Sequence, residues 1–190
     1  MSTILVTGFE PFATSSLNPS GEIVKALKGD DLVTAILPVV FSQASSQLRE
    51  LIDLHKPSAV LCLGQAEGRS AMTPERIAIN LDDARIADNA GNQPLEQRIM
   101  ADGPDGHFST LPIEKMVASM KAAGIPASIS LSAGTFVCNH IFYVLQDYLK
   151  DSPIKSGFMH VPLMDEQRKE FPNLPTMPIR QMVAGVEIAL

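Results

Sequence analysis

Pro57-Ser58-Ala59-Val60-Leu61-Cys62-Leu63-Gly64 is the stretch whose reading decides the fold. From Ala59 to Leu63 every side chain is apolar, and Pro57 and Gly64 bound the run. A strand without polar alternation is buried on both faces, which is the habit of a sheet covered on both sides. Moving outward to the N-terminus, Thr3 to Thr7 is a β-rich run ended by Gly8, and Phe9-Glu10-Pro11-Phe12 reads as the loop after it. Ile23, Ala26 and Leu27 have helical spacing, with Ser20 as a candidate N-cap and Gly29-Asp30-Asp31 as the stop. Leu32 to Leu37 reads as a second strand, halted by Pro38. Residues 42–55 carry Ala44, Leu48, Leu51, Ile52 and Leu54 in a helical pattern, with Ser42 as a candidate cap. The order β, α, β, α, β predicts a three-layer α/β sheet.

Toward the C-terminus the pattern changes. Residues 65–110 are dense in glycine, proline and acids and lack long helical periodicity. Only Arg76 to Asn80 alternates like a strand. A single domain over residues 1–190, with a long ordered loop and β excursion at about 65–110, accounts for this, and loops of that length are usually functional. Beyond it, Ile113, Met116, Val117 and Met120 mark an amphipathic helix ended by Gly124. Ala127 to Leu131 reads as a strand. Cys138 to Leu149 reads as a helix with Ile141, Phe142, Leu145, Tyr148 and Leu149 inward. Phe158 to Val161 is a short apolar strand stopped by Pro162, residues 165–178 are polar and broken by proline, and Ile179 to Ile188 closes the chain as a helix.

The 190 residues suffice for one full core, and 45% apolar with 19% charged residues excludes disorder. The net charge of -6 argues against phosphate-neutralising nucleic-acid binding and against docking on anionic membrane. The start, Met-Ser-Thr-Ile-Leu-Val-Thr-Gly-Phe, has no signal-peptide pattern, and no run is apolar enough to span a bilayer. Two cysteines, Cys62 and Cys138, cannot make a disulfide scaffold, so a soluble protein of the reducing cytoplasm is expected. No dinucleotide glycine fingerprint, phosphate-loop motif or metal-ligand spacing is present. Asp82-Asp83 is a weak hint of a divalent metal and no more.

Cys138 lies where a glycine-containing loop becomes a helix. Unpaired N–H groups and the helix dipole there favour a thiolate and can hold an oxyanion. The competing reading is a buried core cysteine. His160, at the end of an apolar strand, is where a base for Cys138 would sit in an open α/β sheet, and the competing reading is a satisfied core histidine. His140 is two positions past Cys138 and points elsewhere, His55 lies on a surface turn, and His107 reads as solvated. An acid to orient the imidazole is open among Glu75, Asp82, Asp83 and Asp88. Phe9, Phe12 and Phe136, read as loop residues beside this edge, are candidates to line a pocket. A non-catalytic α/β binding protein with a structural cysteine is the runner-up, and a phosphorylase-like enzyme is disfavoured by the few basic residues near these segments.

Taken in order, Gly8-Phe9-Glu10-Pro11-Phe12, Asn18-Pro19-Ser20, Gly64-Gln65-Ala66-Glu67-Gly68-Arg69, Thr73 to Ile86, Ser132 to His140 and Gly157 to Pro162 closely resemble the pyroglutamyl peptidase type I family of cysteine exopeptidases, over nearly the whole length. The resemblance implies a three-layer α/β/α globule with an open twisted, mostly parallel sheet. It implies removal of an N-terminal pyroglutamyl residue from peptides through a thioester, by Cys138 as nucleophile, His160 as base and Glu75 as acid. Arg85 is implied near the oxyanion with the Cys138 backbone N–H. The ring pocket is implied to use Phe9, Phe12 and Phe136, with Gln65 and Asn18 nearby. Cytoplasmic homo-oligomers, dimers or tetramers, without metal or cofactor are implied as well. Arg76, next to Glu75, is its candidate ion-pair partner. Met72 and Met159 stand where a branched aliphatic is expected, and the segment after Met164 is short for the family.

Overall fold

Apolar strands buried on both faces dictate the arrangement found in a computed structural model, which describes residues 3–190. The chain runs β1 (Ile4–Phe9), α1 (Pro19–Ala26), β2 (Leu32–Leu37), α2 (Phe41–His55) and β3 (Ala59–Gln65), as the sequence order predicts. The excursion follows with β4 (Thr73–Pro74), β5 (Ile77–Ile79) and β6 (Gly106–Phe108), then α3 (Ile113–Ala122) and α4 (Val137–Tyr148). The end of the chain supplies β7 (Lys155–Val161), β8 (Leu163–Met164), a 3-10 helix (Asp165–Lys169), β9 (Thr176–Met177) and α5 (Ile179–Ala189).

The main sheet has the order β2-β1-β3-β7-β4. Its first four strands are parallel and β4 is antiparallel to β7. Successive side chains of each strand feed opposite layers. Leu5, Val60, Cys62 and Phe158 pack with Leu48 of α2 and with Ile141 and Phe142 of α4. Val6, Leu61, Leu63, Met159 and Val161 pack with Ile23 of α1, Met120 of α3 and Met182 of α5. This division explains the unbroken apolar run in β3: from Val60 to Leu63 the side chains on both faces are buried.

The local readings need several corrections. β1 runs through Gly8 to Phe9. A side chain on Gly8 would collide with the Ser20 carbonyl, so glycine there lets α1 approach the strand without ending it. The cap of α1 is Asn18, whose side chain accepts from the Ser20 N–H, while Ser20 lies inside the helix. That helix ends at Ala26, ahead of Gly29. Ser42 does not cap α2, which starts at Phe41 after Val40 without a side-chain cap. Tyr148 faces solvent and donates to Asp53 at 2.6 Å. Residues 127–131 form no continuous strand. Two isolated bridges, Met72↔Ala127 and Glu75↔Ser130, fasten them beside β4. No helix among the described residues is long and apolar enough to cross a membrane.

Candidate active site

A close approach of strand to helix seats the thiol. Cys138 is the second residue of α4, and its sulfur lies over Gly64 in β3. A Cβ on Gly64 would come 2.8 Å from Cys138 Sγ and 2.7 Å from Phe158 Cζ, so only glycine leaves this seat open. Phe136 is the extended N-cap residue and no side chain caps the helix. No side chain takes up the N–H groups at the very start of the helix, ahead of the His140 N–H that bonds the Phe136 carbonyl, so they can meet an anion. Cys138 is half-buried and lines a cavity, whereas Cys62 is fully buried.

The thiol is not acidified as its position at a helix start predicts. Burial, then the Glu75 charge, push Cys138 up to about 12, against the opposing pull of Arg69 and of its own backbone N–H. Desolvation outweighs the helix terminus here. The resting group is a neutral thiol, so its use as a nucleophile requires a base.

His160 in β7 lines the same cavity. Its Nδ1 lies 2.7 Å from Glu75 Oε1. A carboxylate accepts only, so Nδ1 carries the proton and Nε2 keeps its lone pair. Burial lowers the His160 pKa below its ordinary value, partly offset by the hydrogen bond and charge of Glu75. A neutral imidazole with a fixed tautomer is fit to accept a proton.

Strand pairing delivers the acid. Thr73 pairs with His160 and Pro74 with Met159, and the Glu75 N–H then donates to the Phe158 carbonyl at 2.8 Å. Glu75 is completely buried. Its charge is balanced by Arg69, whose Nη1 lies 2.8 Å from Oε1. Arg69 also donates to the Thr73 hydroxyl and, at 3.0 Å, to the Ser132 carbonyl. Arg76 instead pairs with Glu114 at 2.7 Å. Nothing in the spacing of the sequence distinguished Arg69 from its neighbour; the signal is the turn between β3 and β4 that folds it back. Glu75 Oε2 has no hydrogen-bond partner among the described residues.

The other acids are occupied elsewhere. Asp82 Oδ2 lies 2.7 Å from His140 Nδ1, so His140 is committed to the excursion. Asp88 accepts from the backbone N–H groups of Phe41, Ala90 and Asn92, and closes a loop. Asp83 is exposed and tied through its backbone to Thr135. His107 is partly buried beside Asp147 and stacks on Tyr143 at 4.8 Å, so it is not the solvated group expected. Asn139, also overlooked, brackets Ile79 with both halves of its amide and pins α4 to β5.

The cavity holds about 190 Å3, and Phe9, Phe12, Asn18, Gln65, Phe136, Cys138 and His160 all line it. Phe9 belongs to β1 and Phe136 caps α4, so neither is a simple loop residue. The Phe12 and Phe136 rings stand 6.2 Å apart, and Phe41 supports Phe136 edge-on at 5.4 Å. Asn18 is spent structurally, donating to the Glu10 carbonyl while it caps α1. Arg85 is exposed and lines an adjoining cleft with Glu67, Asp83 and Ile86, not the Cys138 cavity itself. The two clefts share Phe12, Gln65 and Phe136.

The pattern of one family, pyroglutamyl peptidase, matches residues 2–190. The chain belongs to the pyroglutamyl peptidase family. As a member it is a cysteine peptidase. The pyrrolidone-carboxylate peptidase of Cupriavidus taiwanensis is 48% identical, covering 100% of this chain and 92% of the relative. The crystal structure of pyroglutamyl peptidase I from Bacillus amyloliquefaciens superposes with a TM-score of 0.96 at 42% identity, covering 100% of this chain and 93% of that one. Pyrrolidone carboxyl peptidase from Thermococcus litoralis gives 0.92 at 36%, covering 100% and 91%. These likenesses fit the three-layer pyroglutamyl peptidase fold implied by the sequence motifs.

Proposed function

We propose that this pyroglutamyl peptidase cleaves the amide bond after an N-terminal pyroglutamyl residue with Cys138 as nucleophile, His160 as base and Glu75 as the acid that orients it. The observation that carries the reading is the 2.7 Å contact between His160 and a fully buried Glu75, with His160 and Cys138 lining one aromatic cavity. The substrate ring is a neutral lactam without a free amine, so aromatic walls and an amide partner suit it and a charged pocket would not. Phe9, Phe12 and Phe136 enclose the ring, Gln65 meets the lactam, and Asn18 holds the wall in place.

His160 Nε2 takes the thiol proton as Cys138 attacks the exocyclic carbonyl. The Cys138 backbone N–H, at the uncapped start of α4, receives the oxyanion, and Arg85 approaches from the adjoining cleft. The imidazolium is stabilised by Glu75 and returns its proton to the leaving amine. Water, deprotonated by His160, then hydrolyses the thioester. The whole chain acts as one catalytic domain, works in the cytoplasm with both thiols reduced, and assembles as a homo-oligomer, for which exposed Leu54, Leu95, Phe108 and Leu131 offer apolar surface. It binds neither nucleic acid nor membrane, in keeping with its net charge of -6.

The deciding assay compares kcat/KM for pyroglutamyl, glutaminyl and prolyl chromogenic amides. The last two bring an ammonium into an apolar slot and are rejected. Equal turnover of prolyl and pyroglutamyl amides overturns the reading. Phe136→Ala raises KM through lost ring packing.

A further inference from the structure

Two donors converge on one oxygen of Glu75. His160 Nδ1 meets Oε1 at 2.7 Å and Arg69 Nη1 meets the same Oε1 at 2.8 Å, while Oε2 has no hydrogen-bond partner among the described residues. Two further bonds fix the guanidinium in that place. Thr73 gives its own hydroxyl proton to the His160 carbonyl at 3.3 Å, so its oxygen is left to accept from Arg69 Nη1, and Nη2 donates to the Ser132 carbonyl at 3.0 Å. Arg69 lines neither the Cys138 cavity nor the adjoining cleft, so it meets the site through Glu75. A buried carboxylate that faced His160 alone would hold the imidazole as the imidazolium. That form has no lone pair to take the Cys138 proton, and the resting thiol is neutral, so attack needs a neutral imidazole.

We propose that Arg69 is a positioning residue that acts through Glu75: by sharing the oxygen that faces His160, it weakens the acid's hold on the imidazolium and keeps the base free to accept the thiol proton at neutral pH. The inference rests on the proposed function and deepens it by naming the group that sets the strength of its base. Glu75 has to hold His160 firmly enough to fix the tautomer and loosely enough to leave the imidazole neutral, and Arg69 decides that balance. The charge of Glu75 favours a protonated His160 and the charge of Arg69 opposes it. The other groups against the ring, the Cys138 thiol from α4 and the Phe158 ring at 4.9 Å, are uncharged. In the proposed step one proton passes from Sγ to Nε2, and neither Glu75 nor Arg69 gains or loses one.

The test is the acid limb of the kcat/KM profile on a pyroglutamyl amide, in a double-mutant cycle on Arg69 and Glu75. Arg69→Gln removes the charge, so Glu75 holds the imidazolium more tightly and the limb moves to higher pH, the opposite direction to Glu75→Gln. At a given pH on that limb kcat/KM falls about ten-fold below wild type, a modest effect because the Arg69 side chain is 25% exposed. Arg69→Lys keeps a cation beside the acid and restores the limb. A limb that stays put in Arg69→Gln means that Arg69 serves the fold alone, and one that moves lower means that Arg69 strengthens the hold of Glu75; either result overturns the proposal. Added to Glu75→Gln, where no anion is left to share, Arg69→Gln changes kcat/KM on the limb by less than about two-fold. A ten-fold fall there means that Arg69 acts on His160 directly, and the proposal is wrong. This last comparison leaves no buried charge unpaired, so it decides the matter even where Arg69→Gln alone does not fold. Wild-type turnover of the same amide tests the proposed function on its own, so the two readings fail by different results.

Discussion

Gly64→Ala tests how tightly the thiol is seated. The added carbon would lie 2.8 Å from Cys138 Sγ and 2.7 Å from Phe158 Cζ. Ordinary contact begins near 3.5–4.0 Å, so sulfur and ring must each yield by about 1 Å. Overpacking of this kind costs about 1–3 kcal/mol, which for a chain this long lowers Tm by about 2–12 °C. A displacement of about 1 Å at a reacting atom costs about 100-fold in rate. The expected outcome is therefore a folded protein with kcat on a pyroglutamyl amide down about 100-fold and a modest fall in Tm by calorimetry. Adding Gly64→Ala to Cys138→Ala, where the sulfur is gone, lowers Tm less than adding it to wild type. A Gly64→Ala protein with the predicted fall in Tm but kcat within about three-fold of wild type refutes the idea that this strand fixes the nucleophile.

Cys138→Ala abolishes amidase activity with the fold intact by circular dichroism, while Cys62→Ala keeps kcat and loses stability, because Cys62 is core. The acid limb of the kcat/KM profile lies below the ordinary histidine range, since burial lowers His160. Glu75→Gln drops the maximum and moves that limb lower still, because the carboxylate is what raises the imidazole pKa. His160→Ala is nearly inactive across the profile, and a limb that stays put in Glu75→Gln means another acid orients the base. Both thiols are raised from 9.0 to about 12, so the unfolded chain loses their protons first and stability falls as pH rises from 9 toward 12. Denaturant midpoints across that range show the fall, and Cys138→Ala or Cys62→Ala each removes part of it; identical slopes in all three proteins contradict the shifts. Arg69→Ala leaves the Glu75 charge buried and costs about 3 kcal/mol, a loss that urea denaturation measures and that an unchanged midpoint disproves.

The parallel core was legible because a five-residue apolar run has few other uses, and because β1 and β2 are each followed by helical spacing. What escaped was decided by neighbours distant in sequence. Residues 127–131 have strand composition but meet β4 only at two bridges. Thr73-Pro74 is too short and too proline-bound to read as a strand, yet its pairing with β7 puts Glu75 against His160. Asn18 and Ser20 are both good caps by type, and the choice falls to Asn18 because Ser20 is engaged by the Phe9 N–H and Asn18 itself. Glu75, Asp82, Asp83 and Asp88 could not be ranked by spacing; they separate only once His140 and Phe41 claim the carboxylates of Asp82 and Asp88 and Asp83 proves exposed. The thiol shift was misjudged for a related reason. A helix start is visible in sequence, whereas the depth at which Cys138 is wedged beside Phe158 is not.

The bond between Glu75 and His160 spans 85 positions, and the one between Gln65 and Gln167 spans 102. During synthesis the aromatic wall, the acid and the thiol are all made before β7 exists. On the proposed mechanism, a nascent chain that stops short of His160 holds a cysteine without its base. Proteolytic capacity is then withheld until the last strand of the sheet leaves the ribosome, and the timing of activity is written into the order of the elements.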